Sequence, residues 1–186
     1  MMDFKQAQND MHTSYVGGAT GILVSGLVWC MAGTAALLYS NEISMLALFF
    51  GGMFIHPLAM LLSKILKRSG SHQLENPLGK LALESTIILF VGLFIAFAVA
   101  KIQTQWFYPI MLLIIGVRYL IFNTLYGNKT YWVLGAILMF SGMLCILMGY
   151  SFVVGAFIGG ITELLFSVVI FKQTRALDLK ITSQVK

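Results

Sequence analysis

Four ionisable side chains, His56, Glu84, Arg118 and Glu163, stand inside long apolar stretches of this sequence. A charge at the centre of a membrane-spanning helix costs about 2.5–3.5 kcal/mol on insertion scales, so each of these groups calls for a partner, water or a ligand. Arg118 is the most telling, because its guanidinium stays charged and can form a two-pronged bond to a carboxylate or an anionic ligand. Glu163 and Glu84 are its candidate counter-charges, and an Arg118–Glu163 pair across two helices is the expectation. Such a pair either fixes helix packing or serves a ligand or a proton, while Arg118 alone has the option of snorkelling to the inner interface. Tyr119, Asn123 and Tyr126 recur at helical spacing beside Arg118, either lining the same cavity or forming a plain hydrogen-bonding seam. Glu84 follows Lys80 by four residues, the spacing of an intrahelical ion pair. His56 precedes Pro57, whose missing N–H predicts a kink that either turns the imidazole toward a cavity or serves packing alone. The candidate ligand-binding or coupling set is therefore Arg118, Glu163, Glu84, His56, Tyr119 and Asn123, with no catalytic or metal-ligating group and no cofactor.

Enzyme signatures do not accompany these residues. The chain lacks HExxH, GxSxG, CxxC, a phosphate-cradling GxxxxGK and the paired acidic motif of metal-dependent lipid phosphotransferases. A membrane enzyme is thus the least supported of the readings.

The elements that position the four groups follow from composition. Of 186 residues, 59% are hydrophobic and 10% charged, against about 25% charged in a soluble domain. A soluble globular protein, a disordered chain, a disulfide scaffold and a collagen-like chain are all excluded. Six apolar spans are read at 16–40, 45–63, 81–100, 106–126, 132–150 and 152–171, each close to the ~20 residues that cross ~30 Å of hydrocarbon as helix. None alternates with period two, which disfavours barrel strands. The predicted fold is all-α, a single membrane domain over 1–186 built as a bundle of six transmembrane helices.

Orientation is read from the loops. With the N-terminus inside, Lys5, Lys64, Lys67, Arg68, Lys80, Lys129, Lys172, Arg175, Lys180 and Lys186 fall on the cytoplasmic side, and only Lys101 falls outside. That bias puts both termini in the cytoplasm of a multi-pass inner-membrane protein. The aromatics agree, with Tyr15, Tyr131 and Trp132 at one interface and Tyr39, Trp106, Tyr108 and Tyr150 at the other. The net charge of +5 therefore reports topology, and nucleic acid is not an expected partner. The expected partners are the lipid bilayer, a small solute or ion, and a second copy or a membrane partner subunit. The first span is too long for a signal-peptide core and reads as a retained helix. Cys30 and Cys145 both lie in outer halves of their spans, where a disulfide is conceivable and two small packing residues are the simpler reading.

The longest loop, 64–80, ends in Asn76-Pro77, an N-cap followed by a proline suited to the first helical position. The leading segment reads as a short interfacial helix, and the tail after Phe171 as a soluble extension with Leu177, Leu179 and Ile181 in weak alternation. Small residues recur every four positions at Gly17, Gly21 and Ser25 in the first span and at Gly155, Gly159 and Ser167 in the sixth, faces that let helices approach closely. Glu163 shares the second of these faces and so should point toward protein. Phe50-Gly51-Gly52-Met53-Phe54 matches Phe140-Ser141-Gly142-Met143-Leu144, as an inverted repeat of helices one to three in four to six would require.

The run Gly51-Gly52-Met53-Phe54-Ile55-His56-Pro57-Leu58, followed by a basic loop and Asn76-Pro77-Leu78-Gly79, resembles the Pro-Leu and Asn-Pro-Leu elements of an uncharacterised family of small bacterial six-helix membrane proteins. The resemblance spans parts of two helices and implies a fold without an activity. Size and helix count are also similar to the substrate-binding components of energy-coupling-factor vitamin importers, a fold-level analogy. Those proteins bind substrate near the outer side, whereas the polar residues here cluster inward. Two functions follow as expectations: binding or transport of a small solute or ion through an inward-facing polar cavity, or a non-transporting accessory protein whose buried charges set packing.

Overall fold

The computed structural model describes residues 2–184, with side chains described through residue 179. The described chain is all-helical apart from turns and the 66–77 loop, with α1 (Phe4–Ser14), α2 (Ala19–Leu38), α3 (Asn41–Ile65), α4 (Leu78–Ala100), α5 (Phe107–Tyr126), α6 (Thr130–Met148) and α7 (Phe152–Gln184). The six helices from α2 onward are long and apolar enough to cross a membrane. An even number of crossings puts the two ends of the chain, the 66–77 loop and the 127–129 turn on one face, called here the terminal face.

Helix starts and stops follow local chemistry. Asp3 caps α1 by accepting from the Gln6 N–H at 2.7 Å, and the Gln6 side chain returns the bond to the Asp3 N–H, a reciprocal capping box. Ala7 and Met11, one turn apart, then bury against Leu78 and Leu125, so α1 is fastened over the ends of α4 and α5. Asn76 is buried and starts α4, accepting from the Leu78 N–H at 2.9 Å while its amide donates to the Ala7 carbonyl and to Asp10. Gly127 and Gly149 end α5 and α6 in the left-handed conformation, which costs a glycine nothing.

The tail is not a separate extension. No Gly or Pro interrupts 161–184, and α7 continues past Phe171. Thr174 is buried there against the Val16 carbonyl, and Asp178 pairs with Arg68 in the loop after α3. Ile181, Lys180 and Lys186 lie outside the residues whose side chains are described.

The packing is a ring in the order α3, α2, α7, α6, α5, α4. In a bilayer no hydrophobic force draws helices together, so close backbone approach does the work. A Cβ added at Gly160 would meet the Cys30 sulfur at 2.5 Å and the Gly26 carbonyl at 3.0 Å, and one at Gly33 would meet Ala156 at 3.2 Å. The α2 face that meets α7 is therefore Gly26, Cys30 and Gly33. The expected Gly17–Gly21 face is corrected: Gly17 lies in a left-handed break ahead of α2, and Gly21 faces open space. On α7, Gly155 and Gly159 do pack closely, against Tyr108 and Trp29. Both cysteines are free.

The ring has one weak seam. α3 and α4 are the least buried of the six long helices and are not packed along their length. They meet through Phe49 and Phe97, ring centroids 6.3 Å apart, with Phe107 behind Phe97 at 5.1 Å. These rings lie toward the face opposite the termini.

Candidate functional site

Arg118 and Tyr119 are consecutive on α5, so their side chains leave the helix about 100° apart. That turn separates two polar centres. Tyr119 points into the core, where its hydroxyl donates to Glu163 Oε1 at 2.7 Å. Glu163 is fully buried, and Ser25 of α2 lies near enough to interact with it, although Oε2 has no hydrogen-bond partner. Behind Tyr119 the Tyr131 ring stacks at 5.9 Å, and the Tyr131 hydroxyl donates to the Gly17 carbonyl at 2.6 Å. The carbonyl is presented there because Val16, Gly17 and Gly18 all take positive φ, of 55°, 60° and 84°. For a β-branched valine this is a costly conformation, held by Thr174 and Tyr131 on its two sides.

Arg118 points the other way, toward the seam. It donates to Thr86 of α4 at 3.0 Å and its guanidinium sits 5.2 Å over the Phe122 ring. Its Nε is buried and unpartnered. No ion pair joins Arg118 to Glu163 among the described residues. The two feel each other's charge, but the expected contact pair is corrected, since neighbouring positions on one helix aim at different spaces.

His56 reaches the Arg118 side from α3, which runs unbroken through Pro57. It lies within electrostatic reach of Arg118 and His72, and its ring centroid is 6.4 Å from that of Tyr15. Tyr15 is held by a 2.9 Å hydrogen bond to His72 Nδ1. Burial raises the Tyr15 phenol above its ordinary pKa, the His72 bond opposes this and Asp10 adds to it. His72 itself rests on Gly79, where a Cβ would come within 2.2 Å of the imidazole. The second centre thus gathers Arg118, His56 and Thr86 from three helices, Tyr15 from the end of α1 and His72 from the loop.

Two candidates fall outside both centres. Glu84 is exposed, two residues from Thr86 and so on the far side of α4, and no ion pair with Lys80 forms among the described residues. Asn123 accepts from the Gly127 N–H through its backbone carbonyl at 2.8 Å at the end of α5, and its side chain makes no hydrogen bond to either centre among the described residues. Tyr15, His72 and Thr86 were missed because each belongs to the site only through tertiary contact. The signal that was available is the unusual pair of histidines flanking a basic loop, His56 and His72. His12 was also unmarked; its Nδ1 meets the Tyr126 carbonyl at 3.1 Å while its Nε2 is buried without a partner. No group of three or more His, Cys, Asp or Glu suited to a metal occurs among the described residues.

The chain belongs to DUF7010, a family of unknown function, whose pattern matches residues 4–173. That span includes both polar centres. No curated protein and no solved structure matches the chain.

Proposed function

We infer that this member of DUF7010 binds a small anionic solute at Arg118, in a polar cleft between α3, α4 and α5. The observation that carries the reading is a half-buried guanidinium with no ion-pair partner among the described residues: Arg118 has a hydroxyl, an aromatic face and a buried, orphaned Nε. A charge so placed is costly unless an anion completes it. His56 supplies a second donor beside it. Glu163 and Tyr119 form a separate polar node across α5, available to couple a proton or a conformational change to the occupied cleft.

The reading is tested by native mass spectrometry of the purified protein. Wild type and Glu163→Gln should carry a bound anion that Arg118→Gln lacks. Equal adducts on all three proteins would end it. A second reading, a non-transporting membrane component with structural charges, is favoured by Glu163 and Tyr119 already bonding each other at 2.7 Å. It gains if Arg118→Gln leaves both the adduct spectrum and cellular function unchanged.

We also propose that the termini are cytoplasmic and the membrane a bacterial inner one, on the strength of the loop cations. Cysteines introduced singly at Asn41 and Gln103, in a background lacking Cys30 and Cys145, should react with an impermeant reagent from outside. Cysteines at Ser71 and Lys129 should not. The opposite pattern reverses the orientation.

A further inference from the structure

We propose that the ligand of the Arg118 cleft is a membrane lipid with a phosphate headgroup, entering sideways between α3 and α4. This rests on the anion-binding reading and goes beyond it by naming the ligand class and the route.

The route follows from where the cleft is open. At the face opposite the termini, Phe49 against Phe97 closes it, with Phe107 behind. On the terminal face the 66–77 loop lies across it. The Gly70 N–H donates to the Ser14 carbonyl at 3.1 Å, and His72 is wedged between Tyr15 and Gly79. The remaining side is the seam, where α3 and α4 are unpacked and the surroundings are acyl chains. Gly52, one turn from His56 on the same face of α3, has nothing within 4 Å of its Cβ position. The seam is therefore vacant at the level of the polar groups, and a solute using it must already be in the bilayer.

The chemistry of the lining matches an amphiphile. Helical spacing puts Met53 and Met60 on the His56 face of α3, and Leu83 and Phe90 on the Thr86 face of α4. These offer an apolar path for a chain. At its end stand Arg118, His56 and Thr86, with Tyr15 and His72 just beyond. A planar guanidinium fork flanked by further N–H and O–H donors fits the several oxygens of a phosphate better than a single carboxylate. Glu84, the acid nearest Thr86 in sequence, is turned to the other side of α4, and Asp10, within electrostatic reach of Tyr15, already accepts from the Gln73 N–H and the Asn76 amide.

The test compares thermal unfolding of the protein in a non-ionic detergent with three probes: dioctanoyl phosphatidic acid, dioctanoylglycerol and inorganic phosphate. Phosphatidic acid at about 100 times its Kd should raise Tm by roughly 5–10 °C, and the uncharged lipid should not. Inorganic phosphate at equal concentration should leave Tm unchanged. Arg118→Gln should abolish the shift. Thr86→Trp, which fills the cleft and keeps the charge, should abolish it as well, so the result does not depend on one variant folding. An equal shift from inorganic phosphate would overturn the lipid assignment and leave the anion site intact. A shift that persists in both variants would place the lipid elsewhere and overturn the proposal. No shift from any probe, together with no adduct on wild type, would overturn both.

Discussion

Arg118, half-buried, and Glu163, fully buried, are ionisable residues of the same bundle whose surroundings differ in kind. Glu163 lies where α2, α5 and α7 are drawn together by Gly26, Gly159 and Gly160, and it is bonded to Tyr119. Arg118 lies where two helices fail to pack, with one hydroxyl partner and an unpartnered Nε. One charge is enclosed by the fold and the other is left facing a gap. Closeness in sequence and opposite sign did not make them a pair; the small residues decided which side of α5 would close.

The largest effect should come from breaking the closed side. Gly160→Leu drives a side chain into the Cys30 sulfur and the Gly26 carbonyl, and there is no flexible side chain to yield on the backbone side. Folded, monodisperse protein should be lost by size-exclusion chromatography, whereas Gly52→Leu, at the open seam, should be tolerated. Next is Tyr119→Phe, which removes the bond to a fully buried carboxyl and should cost about 1–3 kcal/mol in chemical unfolding. Arg118→Gln sharpens the contrast. Removing a charge that has no counter-charge should change stability by less than about 1 kcal/mol, while a loss of ~3–5 kcal/mol would mean that a buried ion pair had been broken. In a double-mutant cycle, Arg118→Gln and Glu163→Gln should couple by no more than about 0.5 kcal/mol, the value for groups not in contact. A control lies away from both centres. Lys67 is exposed with φ of 61°, and Lys67→Gly should stabilise by at most about 1 kcal/mol in chemical unfolding, the relief of a left-handed residue being partly offset by glycine's backbone entropy.

The six spans were legible because apolar length is a property of each segment alone, and α5 ended at Tyr126 as its pattern indicated. α7 was less so. Hydropathy marks where the membrane ends, but α7 continues because Thr174 and Asp178 find partners on Val16 and Arg68. Gly17 and Gly21 kept the four-residue spacing of a packing face, yet Gly17 serves a left-handed break that spacing does not reveal. The importance of His56, Arg118, Glu163 and Tyr119 could be read from their placement in apolar surroundings. Their sorting into two centres could not, since it depends on the rotation of α5 and on a seam visible only in three dimensions. Tyr15, His72 and Thr86 are ordinary interfacial or helical residues until that seam brings them together.

The central claim is that Arg118 faces a ligand while Glu163 faces the protein. An experimental density map of the protein in lipid nanodiscs tests it most directly. Density for an anionic group is expected within hydrogen-bond distance of the Arg118 guanidinium, with Glu163 still bonded to Tyr119 and no such density beside Glu163. A map in which Arg118 bonds Glu163, with α3 and α4 packed closed, would contradict it.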